Sequence, residues 1–515
     1  MESKAAYNIR TTTFLWIVIL GLLLGIAVAA RPELGVALAI LGVLAVFIQH
    51  YLHMPVARDE TYKMVYPKRL AALSILMYMY LPHLFFKLGD IGLFIEFSVP
   101  LVFLSFTIFH VLKANDFKWK TSRANLIMTL AIASVLASMV WGYAAKGVPP
   151  NPRDFLAVKD PFYLFLVFIV FFQQDWTTSD VKRYFLTPLI GGGIGTVIIG
   201  IIQYMYIPGL NENFFAYWTE QQHLTELMKP YSRRIFSTLY SSGSYGIFLV
   251  FLLAHMIAAF ISDGYTKRIS AFIAFVLALV APFMTASKGV FIIFSLMILL
   301  FPLVYFKGRI NKLIAFGVTL LVIFTITAIG WPYLRETYMI QRMGEVYQSA
   351  SNLSRYGLKA RPEEILDPTS IGRITPWIQS WPMIKASPIF GYGPGKTFMR
   401  QIGFVAYYKE EFEFKNPFES SYLQIMFRFG LVGVLINFGL MIHFINLHRK
   451  VARMKDCPRE LYRVASVGVI YGLLLFVIFL NTDCIYNIHL MAPVYASAGL
   501  AISYLNSTKA KIPIQ

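Results

Sequence analysis

Seven side chains carry types and spacings that could do chemistry. Arg373 stands in G-R-I-T-P-W-I-Q-S-W, followed by a Gly- and Pro-rich bend from Gly391 to Gly395, and Glu419 opens E-S-S-Y-L-Q-I-M-F-R-F-G. Arg233 and Arg234 lie in Y-S-R-R-I-F-S-T-L-Y, and Lys288 lies in T-A-S-K-G-V-F. Guanidinium groups offer a planar fork to phosphate oxygens, and hydrogen bonds to charged groups contribute about 1.5–3 kcal/mol each. A carboxylate beside such cations can take a proton from an attacking hydroxyl or cap the helix it precedes. Trp377 and Trp381 fall at i and i+4, one face of a helix, where they would stack on sugar rings or anchor at an interface. Singly, Arg233, Arg234 and Lys288 also fit interfacial snorkelling.

The elements that must position these residues are membrane helices. Of 515 residues, 57% are hydrophobic and only 14% charged, and the mean hydropathy is +0.60. Runs of about 20 apolar residues mark transmembrane helices. The sequence predicts an all-α polytopic membrane protein of about 14 spans. These are Thr13–Ala30, Gly35–Tyr51, Leu70–Phe86, Ile91–Leu112, Leu126–Ala145, Phe155–Phe172 and Pro188–Tyr206 in the first half. Leu239–Ile261, Ala271–Thr285, Val290–Tyr305, Leu313–Trp331, Ser420–Asn446, Val464–Leu480 and His489–Tyr504 follow. The whole chain, 1–515, reads as one transmembrane domain with a large loop at 333–418 that carries short helices. Asn211 to Lys229 reads as an amphipathic interfacial stretch.

Positive charge fixes the expected orientation. Lys and Arg concentrate in alternate loops, such as Lys113–Arg123, Lys307–Lys312 and Arg449–Arg463, which places both termini in the cytoplasm and the 333–418 loop outside. Thr13–Ala30 is long for a signal peptide and reads as a retained helix. The net charge of +19 belongs to this topology and to anionic lipid, so nucleic acid is not an expected partner. Cys457 and Cys484 suggest neither a disulfide framework nor a zinc site, and no His or carboxylate cluster in the loop has metal-ligand spacing. Arg428, inside an apolar run, is a functional candidate by depth. Asp483 and His489 bracket a short loop on the same expected face.

The four segments together resemble the O-antigen ligase and polymerase superfamily, the Wzy- and WaaL-type integral-membrane glycosyltransferases. They are R-R-I-F-S-T-L-Y, T-A-S-K-G, the G-R…W…P-x-x-G-x-G loop and E-S-S-Y-L, in the family's order over about residues 230 to 435. Lys288 stands where the family usually has Arg. Glu419 and Ser420 stand where ligases have His and Asn, and E-S-x-Y-L is what many polymerases look like.

The resemblance implies a GT-C-like fold and a bacterial inner-membrane enzyme. Its expected reaction joins oligosaccharide repeat units carried on undecaprenyl pyrophosphate into an O-antigen, capsule or exopolysaccharide, by inverting transfer without a metal or other cofactor. Arg373 would meet the departing pyrophosphate, with Arg233 or Arg234 and Lys288 in support, and Glu419 would be the base. Donor and acceptor would both be lipid-linked, with membrane lipids and a chain-length co-polymerase as further partners. A ligase and, from another class, a lipid-linked oligosaccharide flippase are the alternatives. The absence of internal repeats speaks against the transporter.

Overall fold

The computed structural model describes residues 62–80, 85–88, 91–205, 234–239, 241–262, 284–285, 287–317, 351, 380–396, 398–400, 412–414, 420–482 and 484–510. Its long elements are α1 (Tyr62–Tyr80), α2 (Ile95–Ala114), α3 (Arg123–Ala145), α4 (Leu156–Phe172) and α5 (Thr187–Met205). After them come α6 (Ser242–Ser262), α7 (Lys288–Tyr305), α8 (Ser421–Ala452), α9 (Arg459–Asn481) and α10 (Ile488–Ala510). Two small antiparallel hairpins join them. One pairs β1 (Phe85–Leu88) with β2 (Ile91–Phe94), and the other pairs β3 (Phe398–Arg400) with β4 (Phe412–Phe414).

Among the described residues six helices are long and apolar enough to cross a membrane: Arg123–Ala145, Thr178–Met205, Ser242–Ile261, Ser421–Ala452, Arg459–Leu480 and Ile488–Thr508. Val99–Ala114 and Gly289–Tyr305 are shorter apolar helices. The protein is therefore a multi-pass membrane protein. The expected spans Thr13–Ala30, Gly35–Tyr51 and, but for their edges, Ala271–Thr285 and Leu313–Trp331 lie outside the described residues, as does Asn211 to Lys229.

Two expected spans need correction at their ends. Phe85–Phe86 and Ile91–Phe94, read as helix, form the first hairpin, in which Leu88 pairs with Ile91. The signal was the Gly89-Asp90 pair between apolar residues, a two-residue hairpin signature that apolar content outweighed.

One hydrophobic core runs through all ten helices, from Val65 and Leu73 on α1 to Met491 and Leu500 on α10. Small residues permit the closest approaches. A Cβ on Gly499 of α10 would come within 2.7 Å of the Phe168 carbonyl of α4. The helix ends sort into two sets. At one end Lys68 pairs with Asp180 at 2.6 Å and Lys120 with Asp175 at 2.8 Å. At that end, too, Tyr462 donates to the Tyr305 carbonyl. The other end gathers the C-termini of α1, α3, α5 and α9 with the N-termini of α6, α7 and α10. The alternate loops singled out by charge thus share one end, and Arg234 and the N-terminus of α7 at Lys288 lie at the other.

Candidate active site

The segment leading into α6 is held in a strained turn. Ser237 has φ 52°, a left-handed conformation that costs a non-glycine residue about 1–3 kcal/mol and persists only where its surroundings enforce it. Here they do. Buried Gln203 of α5 accepts from the Phe236 and Ser237 amides at 3.2 and 2.7 Å and donates to the Ser237 carbonyl at 2.9 Å. The Ser237 hydroxyl donates to Thr196 O at 2.6 Å, and Thr238 donates to the Met79 carbonyl.

This turn carries Arg234 against the T-A-S-K-G segment. The Ile235 amide donates to Met284 O at 3.2 Å, and Arg234 Nε donates to Thr285 O at 3.3 Å. Two of the cationic segments picked from sequence are therefore neighbours. Lys288 is the first residue of α7; Arg233 lies outside the described residues.

α8 is not one rod. At Gly430 its backbone leaves helical geometry (φ 62°, ψ −162°). The rings of Tyr422 and Phe438 stack at 4.6 Å between centroids, although sixteen residues of continuous helix would separate them by ~24 Å. The chain therefore doubles back at Gly430. A short first arm from Ser421 lies against a second arm that starts at Leu431 and is long enough to span a bilayer by itself. The expected single span Ser420–Asn446 is corrected accordingly. An apolar run reads the same whether continuous or folded on itself, and Gly430 is one of three glycines in the run, so it does not mark the reversal by itself.

The Gly-Pro bend closes this reversal. Tyr392 and Gly393 amides donate to the Phe427 and Arg428 carbonyls, the last acceptors of the first arm, at 2.9 and 2.8 Å. The Leu431 and Val432 amides, first donors of the second arm, reach Pro388 O and Ile389 O at 2.8 and 3.1 Å. The bend thus satisfies both broken helix ends, which inside a membrane protein would otherwise be orphaned polar groups. Gly391 (φ 66°) and Gly430 leave no room for a side chain, because a Cβ would sit 2.5 Å from Arg428 C and 2.2 Å from Ile389 O respectively. Arg428, half-buried, gives its carbonyl to Gly393.

The first arm begins in a buried polar layer. Ser420 donates to Phe479 O at 3.1 Å. Ser421 donates to Thr482 O at 2.9 Å and accepts the Cys484 and Ile485 amides at 2.9 and 3.2 Å. Asn487 accepts from the Leu490 amide at the start of α10 and donates to Ser244 of α6 at 3.4 Å. Gly246 of α6 packs on Val290 of α7, with room only for a hydrogen. Through these contacts the N-termini of α6, α7, α8 and α10 lie in one connected layer, and none has an acidic residue in its first turn. Helix N-termini carry partial positive charge and favour anions. Gln203, Ser237, Ser421 and Asn487 were not picked out from the sequence, and an amide within the apolar run I-I-Q-Y was the available signal for Gln203.

Residues 273–438 match the O-antigen ligase family, a segment that takes in Lys288, the Gly-Pro bend and both arms around Gly430. The match supports the O-antigen ligase and polymerase superfamily that the motif segments resemble. No curated protein matches the chain. The family match supports a membrane enzyme of O-antigen or polysaccharide assembly, a family whose substrates are lipid-linked glycans.

Arg373, Trp377 and Glu419 lie outside the described residues. The description resumes at Ser420, directly after Glu419. Trp381 is 50% exposed, on a helix at 380–386, with Lys385 Nζ 5.8 Å from its ring centroid. His489 bonds the Tyr78 carbonyl, which ties α10 to α1; Asp483 is outside the described residues. Among the described residues no group of three or more His, Cys, Asp or Glu side chains is placed to hold a metal ion.

Proposed function

We propose that the chain is a polymerase that joins undecaprenyl-pyrophosphate-linked repeat units at the outer face of the cytoplasmic membrane. The observation that carries this reading is the buried N-terminus of the first arm of α8, entered through Glu419, in contact with the layer of helix N-termini that also holds Lys288. Lys288 supports it independently. A cation in a helix's first turn opposes the macrodipole by about 0.3–1 kcal/mol, so helix stability does not explain the residue. A pyrophosphate there would.

The step is a displacement at the anomeric carbon of the donor. The acceptor hydroxyl oxygen forms the new glycosidic bond while the bond to the pyrophosphate oxygen breaks, and that electron pair leaves with the pyrophosphate. The hydroxyl proton passes to Glu419. Negative charge grows on the leaving group, where fixed cations and helix dipoles do most for the rate. Arg373 takes the largest share, Arg234 and Arg233 assist, and Lys288 assists as a point charge without the bidentate fork of an arginine. Attack opposite the leaving group inverts the anomeric centre. Trp377 and Trp381 would hold sugar rings, and a co-polymerase would set chain length.

Glu419 and Ser420 in place of His and Asn favour polymerase over ligase, while the name of the matched family favours ligase. Product analysis separates them. The purified protein given one defined lipid-linked repeat unit should yield a ladder of lengths. A polymerase also predicts that cells lacking the protein lose long polymer while single repeats still reach the surface. Repeats trapped on the inner leaflet would point to a flippase, and polymer accumulating on its lipid carrier to a ligase. Arg373→Ala should lower the rate by about 10²–10³-fold, and full activity in that variant would sink the leaving-group assignment. Glu419→Gln should lower it by about 10²–10⁴-fold at unchanged thermal stability. A cap role would show the opposite pattern.

A further inference from the structure

A recess lies at the end opposite the candidate active site. Lys307, Lys312, Arg449, Arg453 and Lys455 surround a cavity of about 750 Å³ between the C-termini of α7 and α8 and the start of α9. No carboxylate lines it among the described residues. Charge bias explains why cations collect at this end of the molecule, but not why five of them face one hollow. The contrast at the same end is instructive, since Lys68 and Lys120 each take an aspartate.

The other wall of the cavity is apolar. Leu303, Val304, Ile445, Val469 and Leu473 line it, and Leu303 and Leu473 are 42% and 39% exposed. The hollow therefore opens sideways onto the apolar belt of the protein. Lys307 Nζ sits 4.8 Å from the centroid of the Tyr462 ring, which fixes the cation at the rim.

A cationic rim over an apolar wall suits a molecule with a phosphate at one end and hydrocarbon at the other. Basic pockets between membrane helices on the cytoplasmic side are suited to anionic lipid headgroups. We propose that this cavity binds the headgroup of an anionic glycerophospholipid from the leaflet at the cation-rich end, with an acyl chain along Leu303 and Leu473. The site is separate from the glycan chemistry and does not depend on it.

The test uses the full chain in detergent, titrated with phosphatidylglycerol, phosphatidylcholine or inorganic phosphate and read by native mass spectrometry. Phosphatidylglycerol should be retained at least about ten-fold better than phosphatidylcholine. The double variant Lys307→Gln/Arg453→Gln should weaken that retention by about 30-fold, near five-fold for each cation removed. A second pair, Arg449→Gln/Lys455→Gln, changes only exposed side chains and should do the same, whereas Lys118→Gln at the same end should change it less than about two-fold. Equal retention of the two lipids, or unchanged retention in both double variants, would overturn the proposal. So would displacement of the lipid by an equal concentration of inorganic phosphate, which would make a free anion the ligand.

Discussion

Gly430 is the residue on which the architecture of the candidate site turns. Its positive φ and the contact with Ile389 O predict that Gly430→Ala costs about 2–6 kcal/mol, the sum of backbone strain and overpacking. Gly439 lies on the second arm of α8, and a Cβ there would meet nothing within 4 Å. Gly439→Ala should therefore leave the melting temperature in detergent unchanged or raise it, while Gly430→Ala lowers it. A second residue-scale expectation concerns Cys457, in the turn between α8 and α9. Burial pushes its thiol from 9.0 up to about 11, against a smaller opposing effect of Lys307. Burial penalises the thiolate, so the reactive form appears only at higher pH. Two units mean about a hundred-fold less thiolate near pH 8. Maleimide labelling should be slow there and accelerate roughly ten-fold per unit up to about pH 11. Fast labelling at pH 7.5 would contradict the burial.

At the scale of elements, the site is built from half-helices and the loops that terminate them. The bend at 387–393 acts as a clamp, because it meets the last carbonyls of one arm and the first amides of the other. The turn at 235–238 has a similar anchor in Gln203. Gln203→Leu would leave the Phe236 and Ser237 amides without their acceptor in a buried setting, which costs about 1–3 kcal/mol for each orphaned group. The expected readout is a lower melting temperature together with slower transfer, because Arg234 is directed by the same turn. A variant that melts lower yet transfers at the full rate would show that the turn matters for stability alone.

For the whole molecule, the sorting of helix ends gives a direct check on orientation. Lys118 is exposed at the cation-rich end and Asn151 is exposed at the other. With the cation-rich end cytoplasmic, Asn151→Cys should react with a membrane-impermeant maleimide in intact cells, and Lys118→Cys only after the membrane is opened. The reverse pattern would invert the topology and contradict the outer-face reaction proposed above.

Much of this arrangement was legible in the chain. Apolar length and charge bias are local and additive, so the membrane class and the grouping of loops such as Lys113–Arg123 and Lys307–Lys312 at one end could be read directly. The four motif segments were visible as polar interruptions in apolar sequence. What tertiary structure alone decided was their geometry. Whether Ser421–Ala452 is one helix or two depends on hydrogen bonds from a bend some forty residues earlier, and no local periodicity records such a partner. The hold of Gln203 on Ser237 and the bond from Asn487 to Ser244 are likewise long-range. Sequence determined where polar and charged residues interrupt the apolar helices, and folding decided which helix ends meet in one layer, because an unsatisfied backbone group in a membrane must find its partner wherever the chain provides one.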